Sequence, residues 1–89
     1  MLIDIKDFSA VITVENAIYF TDGRSNALFS YDIFESKCSY VGSFLENNDE
    51  QGCLFGTASK YKDSLIYIPI RASNIGIYDI KKENLLNRN

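Results

Sequence analysis

Short apolar runs alternate with polar turns along the 89 residues of the chain. The run Val11-Ile12-Thr13-Val14 is rich in β-branched residues, and Asp22-Gly23 is a strong turn dipeptide. No run keeps a 3.6-residue apolar period with helix caps, so the pattern disfavours helix. It predicts strands over Phe8–Val14, Ala17–Thr21, Ala27–Ile33, Cys38–Leu45, Leu54–Tyr61, Ser64–Ile68 and Asn74–Ile80, and the start of an eighth at Leu85-Leu86.

This pattern occurs twice. Ile18-Tyr19-Phe20 leads through a polar turn to Tyr31-Asp32-Ile33, and Ile66-Tyr67-Ile68 leads through a similar turn to Tyr78-Asp79-Ile80. The two copies are 48 residues apart before the turn and 47 residues apart after it, which one residue lost in between reconciles. The recurring apolar and aromatic positions are predicted to be core: Tyr19, Tyr31, Ile33, Tyr67, Tyr78 and Ile80.

The repeat defines the expected organisation. Residues 1–89 form a single unit, with a first repeat over 8–45, a linker over 46–53 and a partial second repeat over 54–89. The expected fold class is all-β, with antiparallel strands in two four-stranded repeats, of which the second is incomplete.

Four short antiparallel strands that recur about every 47 residues have the period of a propeller blade. The Tyr-Asp pair that closes the third strand of each repeat resembles kelch-like repeats of the β-propeller family. The resemblance covers residues 8–89 and implies two blade-like units of an interaction scaffold. Since propellers close with typically about four to eight blades, three arrangements are open: a fragment of a longer protein, a ring of copies, or one compact antiparallel sheet or sandwich.

The net charge of −3 is unevenly distributed, with −4 over residues 1–48 and +1 over residues 49–89. No Lys/Arg cluster is present that would neutralise phosphates, so nucleic acid is not an expected partner. The first seven residues carry acids where a signal peptide needs an apolar run, and no window approaches the ~20 apolar residues of a membrane helix. We therefore expect a cytoplasmic chain without a membrane partner.

Catalytic patterns are missing from the sequence. The chain has no His, so neither a zinc site nor a His-assisted nucleophile is expected, and no cofactor loop occurs. Cys38 and Cys53 either form a disulfide or, as the spacing favours, remain free thiols. Tyr31-Asp32 and Tyr78-Asp79 resemble acid–base couples, but adjacent strand residues point to opposite faces. Each Asp is instead predicted to bond the turn backbone that follows it.

Two polar loops are the candidate binding sites. Binding residues concentrate on loops, and the propeller resemblance places both loops at one end of the strands. The alternative is that these residues serve turn geometry alone. The candidate ligand-loop residues are Asp22, Arg24, Ser25, Asn26, Arg71, Ser73 and Asn74.

The function predicted from the sequence is that of a non-catalytic binding or scaffolding module without a cofactor. Its partner would be protein, either further copies of the chain or the remaining blades of a parent protein. The first alternative is a piece of a sugar-active or hydrolytic propeller enzyme whose catalytic residues lie outside this chain, and the second is a structural remnant. The chain is not expected to be a well-behaved monomer, because Val11–Val14 and Leu85-Leu86 would expose apolar faces.

Overall fold

The chain folds into antiparallel β-strands. Its computed structural model describes residues 8–22, 27–44, 55–70, 72 and 74–88, and this part contains no helix. The predicted linker over 46–53 lies outside the described residues. The strands are β1 (Phe8–Val14), β2 (Ala17–Asp22), β3 (Ala27–Asp32), β4 (Lys37–Ser43), β5 (Phe55–Tyr61), β6 (Ser64–Pro69), β7 (Ile75–Asp79) and β8 (Asn84–Arg88).

The strands form two four-stranded sheets. The first sheet has the order β1-β2-β3-β4 and the second the order β5-β6-β7-β8, so each is a simple meander of hairpins. The prediction of an all-β chain with two antiparallel four-stranded units is therefore confirmed. The last strand, expected to be fragmentary, pairs with β7 through five residues from Asn84 to Arg88.

Matching hydrogen bonds link equivalent turns in the two sheets, each joining the turn after the first strand of a sheet to the turn after its third strand. The Ile33 amide donates to the Asn16 carbonyl at 2.8 Å, and the Ile80 amide donates to the Asp63 carbonyl at 2.8 Å. The two donors, Ile33 and Ile80, are 47 residues apart, and so are the two acceptors, Asn16 and Asp63. The structural repeat therefore has one constant offset on both sides of the loop.

The aspartates of the two Tyr-Asp pairs stabilise turns. The Asp32 carboxylate accepts the Glu35 amide at 3.0 Å, and the Asp79 carboxylate accepts the Lys82 amide at 2.9 Å. The predicted structural role of these aspartates is thus confirmed, with the bond reaching three residues along the chain. The bond again recurs at an offset of 47.

A constant offset of 47 corrects the sequence alignment of the repeat before the loop. Ile18 pairs with Tyr31 in the first sheet, and Leu65 pairs with Tyr78 in the second. Tyr19 is therefore equivalent to Ile66, and Tyr67 is equivalent to Phe20. Because side chains alternate between the two faces of a strand, this shift by one residue moves Tyr19 and Tyr67 onto opposite faces of their sheets.

The core lies between the two sheets. The second sheet contributes Phe55, Leu65, Tyr67 and Tyr78, all buried, and the strands of the first sheet contribute the buried Ala10 and Leu28 to the same cluster. The backbones of the two sheets approach each other most extensively along their first strands, β1 and β5, where Cα atoms lie within 8 Å of each other.

Phe44 connects the sheets. It follows β4 directly and is completely buried, with its ring 4.9 Å from that of Phe55 and 5.1 Å from that of Tyr67. Gly76 leaves the space for this ring, because a Cβ at position 76 would lie 2.8 Å from Phe44. The residue that directly follows β4 thus fills the interface between the sheets.

The predicted core is confirmed in part. Tyr67 and Tyr78 are buried, and Tyr19 and Ile80 pack against the buried cluster. The prediction that Ile33 is a core residue is wrong, because its side chain is 47% exposed. Tyr31 is only partly buried and lies outside the cluster, on the face of the first sheet that points away from the second sheet. The expected exposure of β1 and β8 is also corrected: Ile12, Val14 and Leu85 pack against the core, whereas Val11 is exposed.

Candidate docking face and inter-sheet cleft

A row of aromatic rings crosses the first sheet on the side away from the second sheet. The centroids of Phe8 and Phe20 are 5.2 Å apart, those of Phe20 and Phe29 are 5.8 Å apart, and those of Phe29 and Tyr40 are 5.7 Å apart. One ring comes from each of the four strands. We call this surface the aromatic face; it comprises Phe8, Val11, Ile18, Phe20, Phe29, Tyr31 and Tyr40.

The rim of the aromatic face is exposed to solvent. Phe8 is 61% exposed, Val11 57% and Tyr40 58%, whereas Phe20 is buried beneath its aromatic neighbours. The hydroxyl of Tyr40 is hydrogen-bonded to Ser43 on the same strand. Large apolar side chains placed together on one sheet face are typical of an interaction surface.

The 47-residue offset shows what this face corresponds to in the second sheet. Phe8 is equivalent to Phe55, which is 1% exposed, and Val11 is equivalent to Ala58, which packs against the core. Farther along the same face, Ile18, Phe20 and Tyr31 are equivalent to Leu65, Tyr67 and Tyr78, all of which are buried against the first sheet. The aromatic face is therefore the counterpart of a surface that this chain already uses to bind a sheet.

A cleft lies between the sheets. It has a volume of about 260 Å³ and is lined by Tyr19, Ser30, Ser39, Val41, Tyr78 and Glu83, and by Tyr40, which stands on the edge strand β4 and borders both the cleft and the aromatic face. The rings of Tyr19 and Tyr78 meet in it from opposite sheets, with centroids 5.7 Å apart.

The tyrosines around this cleft are held in their protonated form. Burial, and to a lesser degree the charge of Glu83, raises the pKa of Tyr19. Burial, the neighbouring Tyr19 and Glu83 raise the pKa of Tyr78. Burial raises the pKa of Tyr67 well above its usual range, and its buried hydroxyl has no hydrogen-bond partner. At neutral pH these phenol groups are therefore protonated and uncharged.

The predicted ligand-loop residues are only partly placed. Asp22 is half-buried at the end of β2, across from Phe8, and Asn74 is half-buried just before β7. The other candidate residues, Arg24, Ser25, Asn26, Arg71 and Ser73, lie outside the described residues. Binding by these loops remains a prediction.

The described residues contain neither a metal-binding cluster nor a membrane-spanning helix. Among them, no group of three or more Cys, Asp or Glu side chains could hold a metal ion. Cys38 carries a free thiol and is half-buried; Cys53 falls outside the described part of the chain. Within the same residues, no helix has the length and apolar character needed to cross a membrane.

Sequence reasoning missed the aromatic face, although its signal was present. Phe8 and Phe55 are 47 residues apart, as are Tyr31 and Tyr78, and a comparison at this offset pairs apolar residues at five of the seven positions of the face, the exceptions being Phe29 and Tyr40, which fall on Gly76 and Asn87. Aligning the two Ile-Tyr motifs hid this match before the loop.

No family model, no curated protein and no solved structure matches the chain. What it does therefore has to be inferred from its two sheets and the surfaces that they present.

Proposed function

We propose that the chain is a non-catalytic docking module, built from two consecutive propeller-like blades, and that its aromatic face binds a further four-stranded sheet of a protein partner. The observation that carries this proposal is the equivalence of Phe8, 61% exposed, with Phe55, 1% exposed, in the same position of the repeat. One of these rings is covered by a sheet and the other is not.

The energetics favour a cover over the aromatic face. Complete burial of a Val or Phe side chain is worth about 1.5–3 kcal/mol. A domain of this size has only a few kcal/mol of net stability. Covering Phe8, Val11 and Tyr40 would therefore add a free energy comparable to that which holds the domain together.

The arrangement of the two sheets supports the propeller part of the proposal. The sheets approach each other most extensively along their first strands, β1 and β5. Sheets that meet along one strand and stack repeatedly in the same way turn around an axis near that strand, which is the geometry of propeller blades. The kelch-like Tyr-Asp pairs, with Asp32 and Asp79 in equivalent turns, agree with this interpretation.

Site-specific photo-crosslinking tests the docking function. We expect the photo-reactive residue p-benzoylphenylalanine, placed at Tyr40, to form a covalent adduct with a protein in the native cell on irradiation. The same residue at Lys82, in an exposed turn away from the aromatic face, serves as the matched control and should give none.

The adduct from position 40 should disappear when Val11→Lys is added, because a charge within the contact would have to be desolvated. No adduct from position 40, or equal adducts from positions 40 and 82, would contradict the proposal. Mass spectrometry of the adduct gives the mass of the partner.

A further inference from the structure

The second sheet also has an uncovered apolar face. Leu65, Tyr67 and Tyr78 point toward the first sheet, so the residues between them point outward. We call this outward surface the isoleucine face; it comprises Tyr61, Ile66, Ile68, Ile75 and Ile77. Tyr61 is 65% exposed and Ile68 44% exposed.

The isoleucine face is equivalent to the surface of the first sheet that binds the second. At the 47-residue offset, Ile66 corresponds to Tyr19 and Ile75 corresponds to the buried Leu28. Likewise Tyr61 corresponds to Val14, which packs in the core. Each outer side of the chain therefore presents a surface that is equivalent to one half of the internal interface. Neither of these two surfaces is in contact with the other sheet.

From this equivalence we propose that the partner is a second copy of the same chain, docked head to tail, with its isoleucine face on the aromatic face of the first. The inference rests on the proposed docking function and specifies which protein docks on the aromatic face. Each new contact repeats the internal one, in which a face of the first sheet meets a face of the second.

The shape of the contact agrees with this partner. Inside the chain, Gly76 leaves a space that the ring of Phe44 fills. The equivalent position on the aromatic face is Phe29, which already provides a ring, 5.8 Å from Phe20. The aromatic face thus carries within its own sheet the aromatic bulk that Phe44 supplies at the internal interface.

Charge favours the head-to-tail arrangement over a symmetric one. The described charges of residues 8–44 sum to −3, from four acids and one lysine, and those of residues 55–84 sum to +1, from four lysines and three acids. Two aromatic faces in contact would bring two sheets of −3 together, whereas head-to-tail docking places +1 against −3. Like-charge juxtaposition is unfavourable, so the charges select the heterologous contact.

Two variants of the full chain, each with one face blocked, test the inference. Val11→Lys with Tyr40→Lys blocks the aromatic face, and Tyr61→Lys with Ile68→Lys blocks the isoleucine face. All four positions are exposed, so the fold should survive, which far-UV circular dichroism verifies. Glu15→Gln with Glu35→Gln is the matched control, since it raises the net charge by the same amount at exposed turns outside both faces.

Sedimentation velocity is then measured on each protein and on the mixture. We expect the wild type and the control to associate with rising concentration, and each blocked variant to remain a monomer of 10.1 kDa. An equimolar mixture of the two blocked variants should form a dimer that grows no further, because one intact face of each kind remains. If a double variant unfolds, Val11→Lys alone and Ile68→Lys alone replace it.

Three outcomes would overturn head-to-tail docking. They are a monomeric wild type, a mixture of blocked variants that stays monomeric, and a dimer of the isoleucine-blocked variant alone, which would mean that aromatic faces pair with each other. A monomeric wild type that still gives a photo-crosslinked adduct of another mass from Tyr40 would refute self-docking and leave the docking function standing.

Discussion

At the residue scale, position 76 shows how one side chain decides the fit between the sheets. Gly76 stands beneath the ring of Phe44, and the equivalent residue of the first sheet is Phe29. The two sheets therefore differ where the repeat is otherwise constant. The glycine is there for close approach and has no positive φ.

Gly76→Ala should destabilise the chain by about 1–3 kcal/mol, as overpacking of a core does. The reason is the distance of 2.8 Å from the new Cβ to the Phe44 ring. Urea unfolding gives the loss. In a Phe44→Leu background the smaller side chain relieves the clash, so the cost of Gly76→Ala should shrink there. An equal cost in both backgrounds would show that Phe44 is not the obstacle.

The same scale explains why equivalent tyrosines behave differently. Tyr78 is buried, whereas Tyr31 is only partly buried, although both pair with an aliphatic residue on the second strand of their sheet. On the fourth strand Tyr31 pairs with Cys38, and Tyr78 pairs with Leu85. The main difference in burial is that the first sheet covers Tyr78, while no described residue of another sheet covers Tyr31.

At the element scale, the hairpins carry unusual turn residues. Glu15 and Lys62, the first residues of the β1–β2 and β5–β6 turns, have φ values of 54° and 53°. This is the left-handed region, which costs an L-residue other than Gly roughly 1–2 kcal/mol. The predicted strand boundaries place both turns correctly, but the residue types do not reveal this strain, because Asn and Asp, which favour the left-handed region, stand second in the turns, at Asn16 and Asp63.

Glu15→Gly should therefore stabilise the chain by a few tenths to about 1 kcal/mol, since the relief of strain exceeds the entropy cost of Gly, about 0.5–1 kcal/mol. Lys62→Gly should act in the same direction. The control is Asn16→Gly, whose φ is not positive and which should destabilise. Thermal melts of the three variants test this. A gain for Asn16→Gly, or a loss for both others, would contradict it.

The strands themselves were largely predictable from the sequence. β1 begins and ends where the pattern placed it, and the boundaries of the other strands differ by only one or two residues. Turn dipeptides and runs of β-branched residues are local signals, which act before any tertiary contact is made. The register of the repeat was not predictable in this way, since it depends on which partner each strand meets.

At the scale of the whole molecule, the tyrosines between the sheets link stability to pH. Burial raises the pKa of Tyr67, Tyr78 and Tyr19 above the value of about 10 expected in an unfolded chain. The folded state therefore holds these protons more tightly than the unfolded state. This contribution to stability is complete below about pH 10 and is lost as the pH rises through the folded-state pKa values.

We accordingly expect the urea midpoint to be constant between pH 7 and about 9 and to fall steeply above about pH 10. Tyr67→Phe should weaken this fall. It should also cost little at pH 7, because the Tyr67 hydroxyl is buried without a partner. Tyr61→Phe, at an exposed position, is the control for the loss of a hydroxyl and should leave the midpoint at pH 7 unchanged. A midpoint that stays constant to pH 11 in the wild type would refute the linkage.

Whether the sequence reveals the candidate binding surface also depends on how the two sheets pack in the whole molecule. The loops were chosen because loops often bind, and only Asp22 and Asn74 of their residues are placed. The aromatic face was not identified, because the two repeats were aligned one residue out of register before the loop. Of its residues only Tyr31 was predicted to be core, and Val11 was expected to be exposed. At the 47-residue offset these residues belong to a core-forming face, but one for which the chain places no cover among its described residues.

The sequence by itself determined the strands, the turns and the presence of two equivalent units, since these follow from local alternation and turn chemistry. Only the tertiary structure decided which face of each sheet is buried. Strands such as β2 and β6 are apolar on both faces, so their pattern favours neither side. The contact between the sheets made that choice: it covers Tyr67 and leaves Phe8 open, because a sheet with two apolar faces can cover only the one that its neighbour reaches.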